Sequence, residues 1–259
     1  MKQNLLMIKS LVKVSFLQAM SYRLDVLFGL LSSVIWLGVP IIFFKVLYLN
    51  VDQIAGWTFN ETLLLVGVYT LIDGIMMAFL VSSMPSLEQD IREGTLDNIL
   101  LKPINPQLYY FCHAIDFTQF LNALLGLAVI VYATWGYQFR LTQILLFIIS
   151  CLAGSILYYS LWFLWTITTF WFPTNFGRSD LFLSLIQLSR YPSSIYRGAG
   201  SILFNFLLPF GMVATPATVV LLHKSMAVLI VQLLVAGVFA LLDMLFWKLG
   251  ISKYDGAGR

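Results

Sequence analysis

Charged residues and cysteines are both scarce in this chain. Asp, Glu, Lys and Arg make up 10% of its 259 residues, against about 25% in typical soluble domains. Hydrophobic residues make up 60%, a balance that excludes an ordinary soluble protein and predicts an integral membrane protein. The two cysteines, Cys112 and Cys151, lie in apolar stretches on different predicted spans, so they imply two buried thiols rather than a disulfide framework.

Sequence motifs for nucleotide binding, metal binding and hydrolysis are also missing. There is no G-x-x-x-x-G-K-[ST] loop, so the chain by itself cannot cradle nucleotide phosphates. Neither H-E-x-x-H nor G-x-S-x-G occurs, and the two histidines, His113 and His223, lie on different predicted spans. We therefore expect no metal site, no cofactor, no catalytic residue and no nucleic-acid partner.

Long apolar runs dominate the chain instead. A membrane-spanning helix needs about 20 mostly apolar residues, and residues 226–247 form the last such run. Four earlier runs predict spans one to four: 25–49, 61–84, 107–134 and 141–171. With a fifth span in between, the sequence predicts a single all-α domain, residues 1–259, with six transmembrane helices.

Residues 1–23 carry four basic residues and no acid. Apolar residues fall on one helical face of this segment, which predicts an interfacial amphipathic helix lying among the headgroups of the membrane lipid. A secretory signal peptide is the alternative interpretation, but Lys9 and Lys13 interrupt the apolar core that such a peptide needs.

Residues 85–106, PSLEQDIREGTLDNILLKPINP, are the one long polar interruption between spans that has helical character. Apolar residues recur there every three to five positions, with charged residues between them: Leu87, Ile91, Leu96, Ile99, Leu100 and Leu101. This spacing predicts a short amphipathic helix at the membrane surface, broken at Gly94 and bounded by Pro85 and Pro106. A solvated loop with an incidental helix is the alternative.

Part of this segment resembles a known family. The string IREGTLD at 91–97, followed by LLKP at 100–103 and by Pro106, is similar to the conserved cytoplasmic segment of the ATP-binding-cassette type 2 permease superfamily. Within it, the chain resembles the uncharacterised six-span permeases that are paired with a daunorubicin-exporter-like ATPase. The resemblance implies the permease subunit of an ATP-driven exporter in the bacterial inner membrane, without an ATPase site of its own.

The resemblance also implies partners for this chain. One is a nucleotide-binding ATPase subunit, which would hold the ATP and the Mg. The other is a second permease protomer, either a copy of this chain or a related one. The sequence does not identify the transported substrate.

In that superfamily, the segment between spans two and three is a coupling helix held in a cleft of the ATPase. By resemblance, five charged residues are expected to contact the ATPase: Glu88, Asp90, Arg92, Glu93 and Asp97. Lys102 and Pro103 belong to the same coupling segment, and Gly94 would act as its hinge or as a point of close contact. Three leucines are expected to dock the segment on neighbouring spans: Leu96, Leu100 and Leu101.

Two layouts are open for the fifth span. Hydropathy alone makes 201–222 a span. The superfamily pattern instead implies a short span near 177–190, followed by a re-entrant hairpin at 195–222 with kinks at Pro209 and Pro216. In both layouts most of the 15 Lys and Arg residues fall on the side of the N-terminus, so both termini are predicted to be cytoplasmic.

Ionisable residues inside predicted spans are costly, so each one is a functional hypothesis. Asp73, in the middle of the second span, is predicted either to face a translocation cavity or to hydrogen-bond across a helix interface. A rival function, an ion-coupled transporter or channel without an ATPase, would use Asp73 as its coupling site. His113 and Asp116 are close enough in sequence to pair on one helical face, and Asp243 is expected to anchor the last span at the interface.

The fourth predicted span carries a face of aromatic and hydroxyl side chains. Its members recur at spacings of three and four: Trp162, Trp165, Thr166 and Thr169. A surface of this kind suits an amphipathic or lipid-like cargo, which makes it a candidate translocation path. Packing against lipid or neighbouring helices is the alternative.

Overall fold

The computed structural model describes residues 13–15, 23–174 and 177–254. Every regular element in these ranges is a helix, because a backbone surrounded by lipid must satisfy its own hydrogen bonds. The helices are α1 (Arg23–Tyr48), α2 (Phe59–Leu80), α3 (Ser83–Glu93), α4 (Asp97–Leu100), α5 (Pro106–His113), α6 (Gln119–Ala133), α7 (Leu141–Ile167), α8 (Arg178–Ile186), α9 (Ala199–Ile202), α10 (Gly211–Leu221) and α11 (Ala227–Lys253). Most of the predicted helix at 1–23 lies outside the described residues, and its part at 13–15 is helical.

Short turns extend several of these helices. The 3₁₀ turns Thr168–Phe170 and Gln187–Arg190 continue α7 and α8, and the π-helical turn Leu203–Leu207 continues α9.

Four described helices are long and apolar enough to cross a membrane: Leu27–Tyr48, Phe59–Glu93, Leu141–Phe170 and Ala227–Lys253. The second of them combines α2 and α3. A fifth candidate exists if the bent pair Ala199–Leu207 and Gly211–Leu221 is taken as one span. The described part of the chain is therefore an all-helical membrane protein with four to five candidate spans, where the sequence predicts six.

The predicted third span, 107–134, is broken into α5 and α6. Asp116 makes the break: its N–H donates to the carbonyl of Ala78 at 2.8 Å, and its carboxylate accepts from the N–H and the hydroxyl of Thr118 at 2.9 and 2.6 Å. Local bonds of this kind compete with helical ones. The predicted pair of His113 with Asp116 is wrong, because His113 ends α5 while Asp116 caps the turn into α6.

Helix α2 lies at the centre and packs against α1, α6, α7 and α10. Its closest approach is to α6. A Cβ atom built on Gly74 would lie 2.4 Å from the backbone nitrogen of Ala123, and one on Gly126 would lie 2.4 Å from that of Leu71. No side chain fits such gaps, so the two glycines allow direct backbone contact between the helices.

The two ends of the bundle differ in their contacts. At one end, the Trp57 end, Trp57 Nε1 donates to Ser194 Oγ at 3.1 Å and Lys224 Nζ lies 2.8 Å from Glu61 Oε2. At the other, the α3 end, α3 packs on α5 and on the turn after α7, and α11 finishes beside Phe170. The chain between Ser194 and Lys224 therefore starts and finishes at the Trp57 end.

The bent pair lies within that stretch. Its two helices turn by 88° where the chain passes Pro209, one of the two positions at which the sequence predicts a kink. Proline cannot donate a helical hydrogen bond, which favours a break there. Pro216, the other position, lies inside the continuous helix α10.

Candidate functional site

The polar segment after α2 has the amphipathic form that its spacing predicts. α3 ends at Gly94, which adopts the left-handed conformation with φ of 76°. The carbonyl of Asp90 accepts from the N–H groups of Thr95 and Leu96 at 3.0 and 3.2 Å, which closes the helix before α4 begins. The start differs from the prediction, because α3 begins at Ser83 and Pro85 lies in its first turn, where a missing N–H costs nothing.

One face of this segment is buried and the other is exposed. On α3, Met84, Leu87 and Ile91 are buried at helical spacing, so they hold the helix against the bundle. The exposed residues between Ser83 and Pro103 are together called the Arg92 surface: Gln89, Arg92, Glu93, Asp97, Asn98, Leu101 and Pro103. Four of the expected coupling residues thus lie on this surface, together with Leu101.

Glu88 is turned inward, contrary to the expectation that it contacts a partner. Its side chain falls in the buried stripe of α3, and its Oε1 lies 3.4 Å from Nη1 of Arg178. The same guanidinium donates to Thr169 Oγ1 at 3.0 Å and to the carbonyl of Phe172. A buried carboxylate is tolerated only with such a partner, so Glu88 ties α3 to the start of α8.

Asp90 bonds other residues of this chain, and Leu101 differs from its expected role. The Asp90 carboxylate accepts from the hydroxyls of Tyr110 at 2.5 Å and Thr95 at 2.7 Å, so it joins α3 to α5. Leu101 is 85% exposed and does not dock on a span, because it lies beyond α4 on the outer side of the turn. Leu96 is fully buried.

Leu100 and Lys102 of this segment also contact other parts of the bundle. Leu100 packs against the core, as Leu96 does. Lys102 lies with Nζ 4.4 Å from the centroid of the Tyr109 ring. This cation–π contact holds the turn that carries Pro103 against α5.

A cavity of about 440 Å³ lies between α1, α2, the start of α6 and the end of α8. Its polar lining comes from all four elements: Ser32, Ser33, Tyr69, Thr70, Asp73, Thr118, Gln119, Asn122, Gln187 and Arg190. Its apolar lining includes Trp36, Leu37 and Leu183. This volume falls in the range of small-molecule sites.

Asp73 faces this cavity and also bonds across a helix interface, so both predicted environments occur together. Its Oδ1 accepts from the hydroxyl of Tyr69, one turn earlier on α2, at 3.0 Å. The same atom accepts from the hydroxyl of Tyr158 on α7 at 2.9 Å. The two tyrosines orient the carboxylate at the wall of the cavity.

Arg190 is a cavity residue that sequence reasoning missed. Its guanidinium carbon lies 5.0 Å from the centroid of the Tyr69 ring. The hydroxyl of that ring donates to Asp73, and all three side chains line the cavity. Both predicted layouts put Arg190 at a membrane surface, whereas the structure puts it in the cavity. Asp73 was the sequence feature that could have pointed to Arg190, because a carboxylate inside a span needs a compensating group.

Comparison with known proteins decides the family. A family model described as an ABC-2 family transporter protein matches residues 34–258. The chain belongs to this family. The resemblance seen at residues 91–106 is thereby confirmed, and the protein is an ABC-2 permease. Neither the curated proteins nor the solved structures contain a match to it.

The aromatic face of α7 in this permease is covered. Trp162 is fully buried and stacks on Phe182 of α8 with ring centroids 4.9 Å apart. Trp165 Nε1 donates to the carbonyl of Arg178 at 3.0 Å. Thr166 and Thr169 are each 1% exposed. In this conformation the face packs against α8, and the cavity is lined by other residues.

Polar contacts between the permease helices were also missed by sequence reasoning. Gln232 of α11 accepts from Ser150 Oγ at 2.5 Å and donates to the carbonyl of Met212 at 2.9 Å. Asp243 is 5% exposed and accepts from Ser160 Oγ at 2.6 Å, so it is not an interfacial anchor. Among the described residues, no group of three His, Cys, Asp or Glu side chains is placed to hold a metal ion.

Proposed function

We propose that this permease is the membrane subunit of an ATP-driven exporter, and that its Arg92 surface docks on a nucleotide-binding ATPase subunit. The observation that carries this proposal is the Arg92 surface itself, in which charged side chains and the 85% exposed Leu101 stand at the end of a helix leading into the membrane. An exposed leucine within a charged rim is typical of a protein-binding surface. Membership of the ABC-2 family supports an ATPase as the occupant.

Two connections would carry motion from this surface to the cavity. α3 continues α2 with only a short turn between them, so movement of α3 acts on the helix that holds Asp73. The Glu88–Arg178 ion pair joins α3 to the start of α8, and Arg190 ends the 3₁₀ turn that follows α8. ATP-driven closure of the partner would thus move both charged residues of the cavity. ATP and Mg would be bound by the partner, and this chain would supply no cofactor site.

The orientation follows from the same surface. With the α3 end in the cytoplasm of a bacterial cell, α1 begins and α11 ends on the cytoplasmic side of the inner membrane. α8 with its 3₁₀ turn would be a short fifth span, and 195–222 a re-entrant hairpin from the opposite face. The contacts of Ser194 and Lys224 at the Trp57 end support this layout, which makes six membrane crossings. Exposed apolar faces of α1 and α11 would contact lipid or a second permease protomer.

The test is co-purification of the tagged permease from its host in mild detergent. A soluble subunit with a phosphate-binding loop is expected to elute with it in stoichiometric amount. The triple change Arg92→Glu, Glu93→Lys and Leu101→Asp should reduce the recovered subunit roughly tenfold or more, because interface centres tolerate such changes poorly. The matched control is Asp52→Lys, an exposed charge in the loop at the Trp57 end, which should leave recovery unchanged.

Equal recovery of the ATPase by the wild type and the triple variant would contradict docking at the Arg92 surface. A second function, an ion-coupled transporter, is favoured by one observation: Asp73 lies in a membrane cavity beside two tyrosines. That function predicts ion-dependent solute movement by the purified chain alone in liposomes, lost in Asp73→Asn. Absence of any nucleotide-binding partner together with such activity would replace the exporter proposal.

A further inference from the structure

The cavity holds a carboxylate, that of Asp73, and a guanidinium, that of Arg190, which do not form a direct ion pair. Both tyrosine hydroxyls donate to Oδ1 of Asp73, and no described residue donates to its Oδ2. Nε of Arg190 is buried without a hydrogen-bond partner, and the ion pairs among the described residues do not include one with Asp73. Buried polar groups are normally satisfied, so both charged groups have bonding capacity left for a ligand.

The rest of the lining contains both polar and apolar side chains. Gln119, Asn122 and Gln187 add amide groups to the lining, while Trp36 and Leu183 add apolar surface. One wall is α1, and its Trp36 lines the cavity while being 59% exposed, so the cavity is open to the surface beside α1. A molecule in the bilayer could therefore reach this cavity past α1 without crossing the protein core.

We propose that this cavity binds an amphipathic zwitterion that carries a phosphate and a primary ammonium group. The phosphate accepts hydrogen bonds from the Arg190 guanidinium, whose planar donors match phosphate oxygens. The ammonium donates to Oδ2 of Asp73, which the tyrosines hold in place. An apolar tail lies along Trp36 and Leu183. The assignment of this ligand as transported substrate rests on the proposed exporter function, whereas its binding does not.

Native mass spectrometry of the purified chain in detergent tests the site. The probes are phosphatidylethanolamine, which has both groups, and phosphatidylglycerol, which has the phosphate without the amine, each with oleoyl chains. Wild-type protein is expected to retain phosphatidylethanolamine roughly tenfold better, the typical value of a charge-assisted hydrogen bond. Soluble glycerophosphoethanolamine is the third probe, and its equal retention would identify a water-soluble source of the same zwitterion.

Variants at Asp73 and at Arg190 test the two charged groups one at a time. Asp73→Asn keeps the shape and the acceptor for the tyrosines, and it should erase the preference for phosphatidylethanolamine while phosphatidylglycerol still binds. Arg190→Gln should weaken both lipids roughly tenfold, and Arg190→Lys should recover part of that loss. Matched controls are Asp180→Asn and Lys45→Gln, exposed charges on α8 and α1 that do not line the cavity, and they should bind like the wild type.

Equal retention of both lipids by the wild type would overturn the proposal, and so would a preference that survives Asp73→Asn and Arg190→Gln. The two proposals fail separately, because lipid retention is measured on the chain without a partner. Zwitterion binding without a co-purifying ATPase would support the proposed binding site and contradict the proposed exporter function. Co-purification of an ATPase without zwitterion binding would support the exporter function and contradict the binding site.

Discussion

At the scale of single residues, Gly94 shows how backbone conformation shapes the Arg92 surface. Its φ of 76° lies in the region that L-residues other than Asn and Asp enter only at a cost of roughly 1–2 kcal/mol. The turn at Gly94 lets three N–H groups converge on the Asp90 carbonyl and ends α3 before α4 begins at Asp97. Without it, Asp97 and Leu101 would not share a surface with Arg92.

Gly94→Pro should therefore disrupt this turn, because proline fixes φ near about −65°. Membrane insertion should be normal, but ATP hydrolysis should no longer drive transport by the reconstituted complex. The measurement is substrate movement per ATP hydrolysed in liposomes. Gly94→Asn is the matched control, since asparagine tolerates the left-handed region and should keep most of the coupling. Normal coupling in the proline variant would show that Gly94 is not a hinge.

At the same scale, the burial of Glu88 differs from what its charge suggests. By its charge and position in a polar segment, it belongs with the partner-contacting residues, and only its register with Leu87 and Ile91 indicates burial. The hydrophobic stripe determines which way Glu88 faces, because three buried apolar side chains fix the rotation of α3 and place Glu88 on its buried face.

At the scale of elements, the link between α3 and α8 is one buried ion pair between residues 90 positions apart. Arg178→Gln leaves the buried Glu88 carboxylate without this counter-ion, and Glu88→Gln removes one partner of the buried Arg178 guanidinium, so each should lower the free energy of unfolding by about 3–5 kcal/mol. Arg178→Gln should cost more, since the guanidinium also bonds Thr169. The double variant should lose less than the sum of the two single variants.

Thermal unfolding in detergent measures the stability of the wild type, the two single variants and the double variant. Glu93→Gln, an exposed acid on the same helix, is the control and should change stability by less than about 0.5 kcal/mol. In the reconstituted complex, the double variant should still bind the ATPase through its intact Arg92 surface but transport poorly. Strictly additive losses in the single variants would show that the two side chains do not interact.

Helix α6 illustrates a limit at this scale. Hydropathy continues across 107–134 and predicts one long helix, because apolar residues flank Asp116 on both sides. The break arises from a bond to another element, the one between the Asp116 N–H and the Ala78 carbonyl, together with close packing on α2 through Gly126. Such contacts cannot be seen in a window of sequence.

At the scale of the whole molecule, the topology proposed from the contacts can be checked by thiol labelling. In a chain with Cys112 and Cys151 replaced by alanine, single cysteines at Arg197 and His223 should react with a membrane-impermeant maleimide from outside intact spheroplasts. Cysteines at Asn98 and Ser252 should react only in inverted vesicles. All four positions are exposed.

This pattern separates the two layouts of the fifth span. A straight span at 201–222 predicts that positions 197 and 223 react from opposite sides. The re-entrant layout predicts the same side, since Ser194 and Lys224 both lie at the Trp57 end. Labelling of 98 and 252 from outside would reverse the proposed orientation and remove the Arg92 surface from the cytoplasm.

The sequence alone determined the class of the molecule, most of its long helices and the family to which it belongs. These depend on local quantities: the length of an apolar run, the period of an amphipathic face, the breaking effect of Gly94, and a short string of residues at 91–106. Each can be read in a window of a few turns, because helical hydrogen bonds close within four residues.

Only the tertiary structure decided which side chains meet. It turned Glu88 inward onto Arg178, left Leu101 exposed, and brought Arg190 into the cavity with Asp73, 117 residues earlier in the chain. The physical reason is that burial of a charge inside a membrane is decided by its partners. Those partners come from helices that are distant in sequence and adjacent only once the bundle has packed.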